Sequence, residues 1–339
     1  MAEAEGSPEV RRTPDRAILG VIFLLLFVMS YSEEIVSGLF QVIGHGETEE
    51  WRIALIVVDL AILLWIGLLK RSISHDDHGP HRLWRWWWAG CVVVTALNII
   101  LNGLHEYPPT WVDVASSILF TVAIGILMMS SINADPMTLF SSRKRATLRR
   151  DWLRVRAVVP LIVGIFAAYV GAVLFTDFFD VDVVRTVPPA MAAEVAELSL
   201  PDRLGVLDSL CQNAVNPWYF QHIVEVLPLL LLALGVEFNF FRRVLRDPAQ
   251  RAATAATVTV IALGLVFALS TLPWAGDECG EVLEGWHEYL TFIVSLQAIF
   301  TAIATLVWVL VVNVPDAPDD EEYDVGTDNP SMSGPGEPR

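Results

Sequence analysis

The sequence predicts an all-α fold, a polytopic integral membrane bundle of about eight transmembrane helices. Three observations carry that prediction: eight apolar segments near bilayer length, connecting loops that alternate between Arg-rich and acid-rich, and tryptophans gathered at the segment ends. The segments are 17–43, 52–69, 86–104, 112–132, 157–178, 222–241, 253–272 and 291–314. A helix rising about 1.5 Å per residue needs about 20 apolar residues to cross about 30 Å of hydrocarbon, and each segment is close to that length.

In chain order, segment 17–43 follows Arg11, Arg12 and Arg16, as the core of a signal peptide would. Its apolar run reaches Met29-Ser30-Tyr31-Ser32-Glu33-Glu34 without a small-x-small cleavage pattern and resumes at Ile35, so it reads as one retained helix. Segment 52–69 carries Asp59 at its middle. Segment 86–104 opens on Trp86, Trp87 and Trp88 and ends near Asn98 and Asn102. Segment 112–132 returns the chain to the basic side.

The run 143–156, with Trp152, is basic, amphipathic and juxtamembrane, which suits anionic headgroups ahead of segment 157–178. Within the long loop 179–221, positions 189–198 are apolar on one helical face and acidic on the other, as for a helix on the membrane surface or over the bundle. Segment 222–241 contains Glu225 and Pro228, and the proline can kink the helix and free a carbonyl. Segments 253–272 and 291–314 flank the loop 273–290.

Three parts follow: a tail over 1–16, a transmembrane domain over 17–314 with exofacial loops 179–221 and 273–290, and an acidic tail over 315–339. The last is rich in Asp, Glu, Pro, Gly and Ser and cannot repay the entropy of ordering. Placing both termini in the cytoplasm puts 19 of the 22 cations inside and leaves Arg52, Arg185 and Arg203 outside, the positive-inside pattern of a cell-membrane protein. Trp84 and Trp86–88 then mark an inner boundary, while Trp51, Trp111, Trp218, Trp274 and Trp286 mark outer ones, as interfacial anchors.

The net charge of −17 falls mainly on the outer side, where 20 carboxylates face three arginines. Such a surface concentrates cations and excludes nucleic acid, whose recognition needs basic residues. Two lysines against twenty arginines also suit a chain whose acidity is compositional.

The two halves echo one another. Leu104-His105-Glu106-Tyr107 resembles Trp286-His287-Glu288-Tyr289, and Gly67 answers Gly235. Four helices per unit is an even number, so a 4+4 repeat would be parallel. Cys211 and Cys279 lie in the two long loops on the predicted oxidising side and form the natural disulfide pair. Closing 68 residues between them would add roughly 4 kcal/mol on the chain-entropy account. Cys91, inside the third segment, reads as a small apolar residue.

Ionisable groups inside a span cost about 2.5–3.5 kcal/mol each on insertion scales unless they face protein or water. Asp59 is the clearest, and Glu225 falls at a matching depth in the second half, so an ion or proton site would use both, with Asn98 and Asn102 as polar neighbours. Glu237, near Arg242 and Arg243, reads as an interfacial pair instead. His105, Glu106, His222, His287 and Glu288 gather at the outer rim, where imidazole and carboxylate could bind a divalent metal or sense pH. No standard metal spacing is present there. His75-Asp76-Asp77-His78-Gly79-Pro80-His81 reads as a polar turn with weak metal affinity.

No phosphate loop, nucleophile elbow, zinc-protease helix or cysteine-pair metal motif occurs, so nothing marks the chain as an enzyme. Three functions are compatible: a cation- or proton-handling transporter or channel; a non-transporting subunit or sensor whose disulfide-linked cap binds a membrane-protein partner or a second copy; and a membrane enzyme with an exofacial metal site.

Overall fold

The computed structural model describes residues 13–43, 49–77, 81–103, 110–140, 146–174, 189–203, 206, 215, 217–240, 248–273 and 282–311. They form α1 (Thr13–Phe23), α2 (Ser32–Ile43), α3 (Glu49–Asp77), α4 (His81–Gly103), α5 (Thr110–Ser131), α6 (Ala146–Val173), α7 (Pro189–Ala196), α8 (Pro217–Phe240), α9 (Pro248–Thr271) and α10 (Val282–Val311), with no strand among the described residues. Seven of them, α3 to α6 and α8 to α10, are long and apolar enough to cross a membrane. Wide apolar faces stay uncovered, such as Leu64, Trp65 and Leu68 on α3 and Leu229 and Leu232 on α8, each more than half exposed. In water such faces would be a liability; against lipid they need no cover. The result is an all-helical bundle built for a bilayer.

The first segment departs from the expected single helix. α1 runs into a π-helical turn, Leu24–Met29, the chain breaks at Ser30 and Tyr31, and α2 leaves at 49° to what precedes it. An eighth span exists only if this bent pair is one span. The cause is local. Ser30 Oγ donates back to the carbonyl of Leu25 (3.0 Å) and Ser32 Oγ to that of Met29 (3.2 Å), so serine hydroxyls stand in for backbone donors. Glu33 and Glu34 in the first turn of α2 then favour a fresh helix start.

Three helices extend well past their apolar segments. α3 continues to Asp77, α6 begins at Ala146 and α10 at Val282, because amphipathic runs prolong a helix after its lipid-facing part has ended. α7 forms at 189–196 as its periodicity predicts, with Val195 buried. The tails over 1–12 and 312–339 lie outside the described residues.

The interior is made by α6, α9 and α10 with α1 packed on α9; α8 covers α9 and α10, and α2 to α5 close the other side. Small residues set the approach. Gly171 lies against Leu296, Gly264 sits where a Cβ would stand 2.8 Å from that of Ala298, and α9 buries Ala249, Ala252, Ala253, Ala256 and Ala268. Without a hydrophobic drive between helices in lipid, such contact supplies the packing.

The halves do not pack alike. α1 packs on α3, whereas their counterparts α6 and α8 share no comparable interface. Gly67 meets the Trp87 ring, a Cβ there standing 3.0 Å from it, while Gly235 faces open space. A 4+4 repeat finds no support in these contacts. Trp51 and Trp87, 8% and 5% exposed, are packing residues rather than interfacial anchors.

Candidate functional site at the break in the first helix

Around the break, polar groups of five helices, α2, α3, α4, α6 and α10, face the interior. Tyr31 is buried, and its hydroxyl donates to Oε1 of the fully buried Gln297 on α10. On the other side of the break Ser32 lies beside the carboxylate of Asp59, and Asn98 on α4 donates to Asp59 Oδ2. Tyr169 of α6 reaches Ser30 and lies within electrostatic range of Glu34 and Asp59. Asp59 sits eight residues into the span that begins at Trp51 and Gln297 twelve into the one that begins at Gly285, roughly 12 and 18 Å along their helices. This is the depth at which broken helices form sites in membrane proteins.

Asp59 is 4% exposed, and it faces inward because its stripe on α3, with Leu55, Ile62 and Ile66, is the buried one. Its Oδ1, together with Gln297 Nε2 and Thr301 Oγ1, is buried without a hydrogen-bond partner. Of these, the Asp59 oxygen beside the break is the acceptor that can take up a proton or a small cation. A buried carboxylate is expensive when charged unless something arrives to balance it.

Glu34 lies on the acidic side of the break. Its backbone carbonyl accepts from Trp286 Nε1 at 3.0 Å, and Trp286 packs so tightly on Gly38 that a Cβ there would overlap the indole. Further along, α10 buries Glu288, Thr291, Ser295, Gln297, Thr301 and Thr305. Thr291 meets Thr271 (3.2 Å), Ser295 meets Tyr219 (2.9 Å) and Thr305 donates to the Thr301 carbonyl (2.7 Å). The helix thus presents a polar stripe to the bundle interior.

Of the residues singled out from the sequence, Asp59 and Asn98 meet. The side chain of Asn102, one turn further along α4, lies outside the described residues. Glu225 does not join them: its side chain is 73% exposed, 3.6 Å from His222 Nδ1, on a helix that does not pack against α3. Pro228 is inside α8 and exposed on the same outward side.

The described rim residues, His222, His287 and Glu288, are not drawn into one ligand set. Glu288 is fully buried and accepts the backbone N–H of Val215 at 2.8 Å. His287 pairs with Ser270 (3.0 Å) and stands by Phe267; His222 stacks edge-on against Trp218. Among the described residues no three His, Cys, Asp or Glu are grouped to hold a metal. His105, Glu106, Cys211 and Cys279 lie outside those residues; Cys91 is buried and free.

Tyr31, Ser32, Tyr169, Gln297 and Thr301 were not legible as site residues. The signal existed in two places: serines and acids interrupting an apolar run, and polar residues recurring at helical spacing along α10. Comparison with protein-family models, with curated proteins and with solved structures gives no match.

Proposed function

We propose that this is an integral membrane protein that moves a proton or a small monovalent cation, with Asp59 as the charge-carrying group and the break between α1 and α2 as its gate. The single observation behind this reading is the Asp59 carboxylate, buried mid-span with Oδ1 unpartnered beside an interrupted helix. Asn98 orients the carboxylate; Tyr31 and Gln297 tie the break to α10, so that a change in the charge of Asp59 is felt where the first helix bends. Glu225 has no part in this reading. In this reading, which follows the arginine bias, the acidic end faces outward and both termini lie in the cytoplasm; Cys211 and Cys279 are the proposed pair in the two outer loops.

The test is purified protein in liposomes under an imposed pH, Na⁺ or K⁺ gradient, read by an internal dye. Flux in the native protein that Asp59→Asn removes, with the variant still monodisperse, is the expected result. Absence of flux under all three gradients, or undiminished flux in the variant, overturns the proposal.

A further inference from the structure

The buried stripe of α3 carries a second ionisable group. Asp59, Ile62, Ile66, Lys70 and Ile73 lie on one face, all 7% exposed or less, while Leu60, Leu64 and Leu68 face outward. Eleven residues separate Asp59 from Lys70, about 16 Å or three turns. Lys70 is fully buried, so its ammonium does not reach water by extending along the helix as interfacial lysines do.

Its surroundings do not neutralise it. Lys70 Nζ donates to the carbonyl of Ser130 at the end of α5 (2.5 Å) and lies 5.0 Å from the Trp84 ring centroid. The described charged side chains on the elements packed there are mostly basic: Arg16 on α1, Arg82 and Arg85 on α4, Arg154 and Arg156 with Asp151 on α6, and Arg71 and His75 on α3 itself, while the side chains of Asp15, Asp76 and Asp77 lie outside the described residues. Arg154 Nη1 donates to the carbonyl of Ile132 (2.9 Å). Asp135, the carboxylate of the turn after α5, is bound by Arg82. Among the described residues Lys70 therefore has one carbonyl and one aromatic face, and no anionic partner.

An ammonium offers three donors, and here one acceptor meets them. A lysine so placed is a group that can exist in either charge state, and ionisable residues inside spans mark proton relays. We propose that Lys70 is the second proton station of the path whose first is Asp59, the two acting in series along one face of α3; this rests on the reading of Asp59 given above. The proton leaves the Asp59 carboxyl, which becomes a carboxylate, and binds the lone pair of the neutral Lys70 amine, which becomes an ammonium. Release at the basic end restores the amine. Ile62 and Ile66 lie between the two groups and carry no proton, so the proposal requires water to enter beside this face while a proton is in transit.

Lys70→Arg is the discriminating variant, because guanidinium keeps the charge and can donate to the Ser130 carbonyl but does not release its proton. In liposomes its proton flux is expected to fall on the order of a hundredfold, the scale of losing a proton-transfer group. Flux lost in Asp59→Asn but intact in Lys70→Arg overturns this inference and leaves the earlier reading standing; no flux in the native protein sinks both.

Should Lys70→Arg fail to fold, a second measurement decides. The chain has only two lysines, Lys70 and Lys144, so Lys144→Arg protein labelled with 15Nζ-lysine gives one side-chain signal. That signal is expected to change with pH and to shift in its pH response when Asp59→Asn is added. A fully protonated ammonium throughout, unaffected by Asp59→Asn, overturns the inference.

Discussion

Gly164 of α6 lies directly against the hydroxyl of Thr301 on α10, so closely that a Cβ on Gly164 would overlap Thr301 Oγ1 and stand 3.1 Å from the carbonyl oxygen of Gln297. The bareness of one residue thus sets the distance between the two helices that carry Tyr169 and Gln297. Gly164→Ala is expected to destabilise the protein by about 1–3 kcal/mol, the usual range for overpacking, seen as a lower thermal midpoint in detergent. Adding Thr301→Ala should recover part of the loss. Gly235→Ala is the control: nothing lies within 4 Å of it, and it should be neutral or gain up to about 1 kcal/mol from helix propensity.

The bond between Tyr31 and Gln297 joins the break in the first helix to α10. A double-mutant cycle with Tyr31→Phe and Gln297→Leu should give a coupling of about 0.6–1.7 kcal/mol, the range for such bonds within membranes. Additive effects of the two substitutions would show that the bond contributes nothing.

Asn133 ends α5 with φ of 57°, and Ala134 N–H donates to the Met129 carbonyl (2.9 Å) while Asn133 N–H donates to that of Ser130 (3.3 Å). This left-handed closure favours Asn or Gly. Asn133→Val should cost about 1–2 kcal/mol in backbone strain and Asn133→Gly less, although both lose the bond from Ser74 Oγ (3.3 Å). Thermal midpoints in the order Asn, Gly, Val check this.

Cys91 is buried and free, and Cys211 and Cys279 are proposed to pair. Denatured but unreduced protein should take up one maleimide per chain, and reduced protein three, as read by intact mass. Three adducts without reduction would remove the disulfide.

Much of the bundle was legible because the signals are short in range. The span of α3 around Asp59 shows in the residues just beside it, and Asp59 stood out because a carboxylate flanked by Val57, Val58, Leu60 and Ala61 has no local source of water. The break after Met29 was half legible: Ser30, Ser32, Glu33 and Glu34 interrupt the apolar run, yet hydropathy averaged over the segment reads straight through them. Glu225 misled for the converse reason. Its depth in segment 222–241 resembles that of Asp59, but depth along a helix says nothing about which way a side chain faces, and Glu225 looks outward.

Lys70 shows the same limit from the other direction. Beside Arg71 at a segment end it reads as one more positive-inside charge, and only packing against α4 and α5 seals it in. By itself the sequence determined the helical class, the number of apolar segments and the charge asymmetry between their ends, because hydropathy and charge act over a single run of chain. Tertiary structure decided which polar groups meet. Tyr31 and Gln297 are 266 positions apart, and their contact exists because Gly164, Gly171 and Gly264 let α6, α9 and α10 close around the bent first helix.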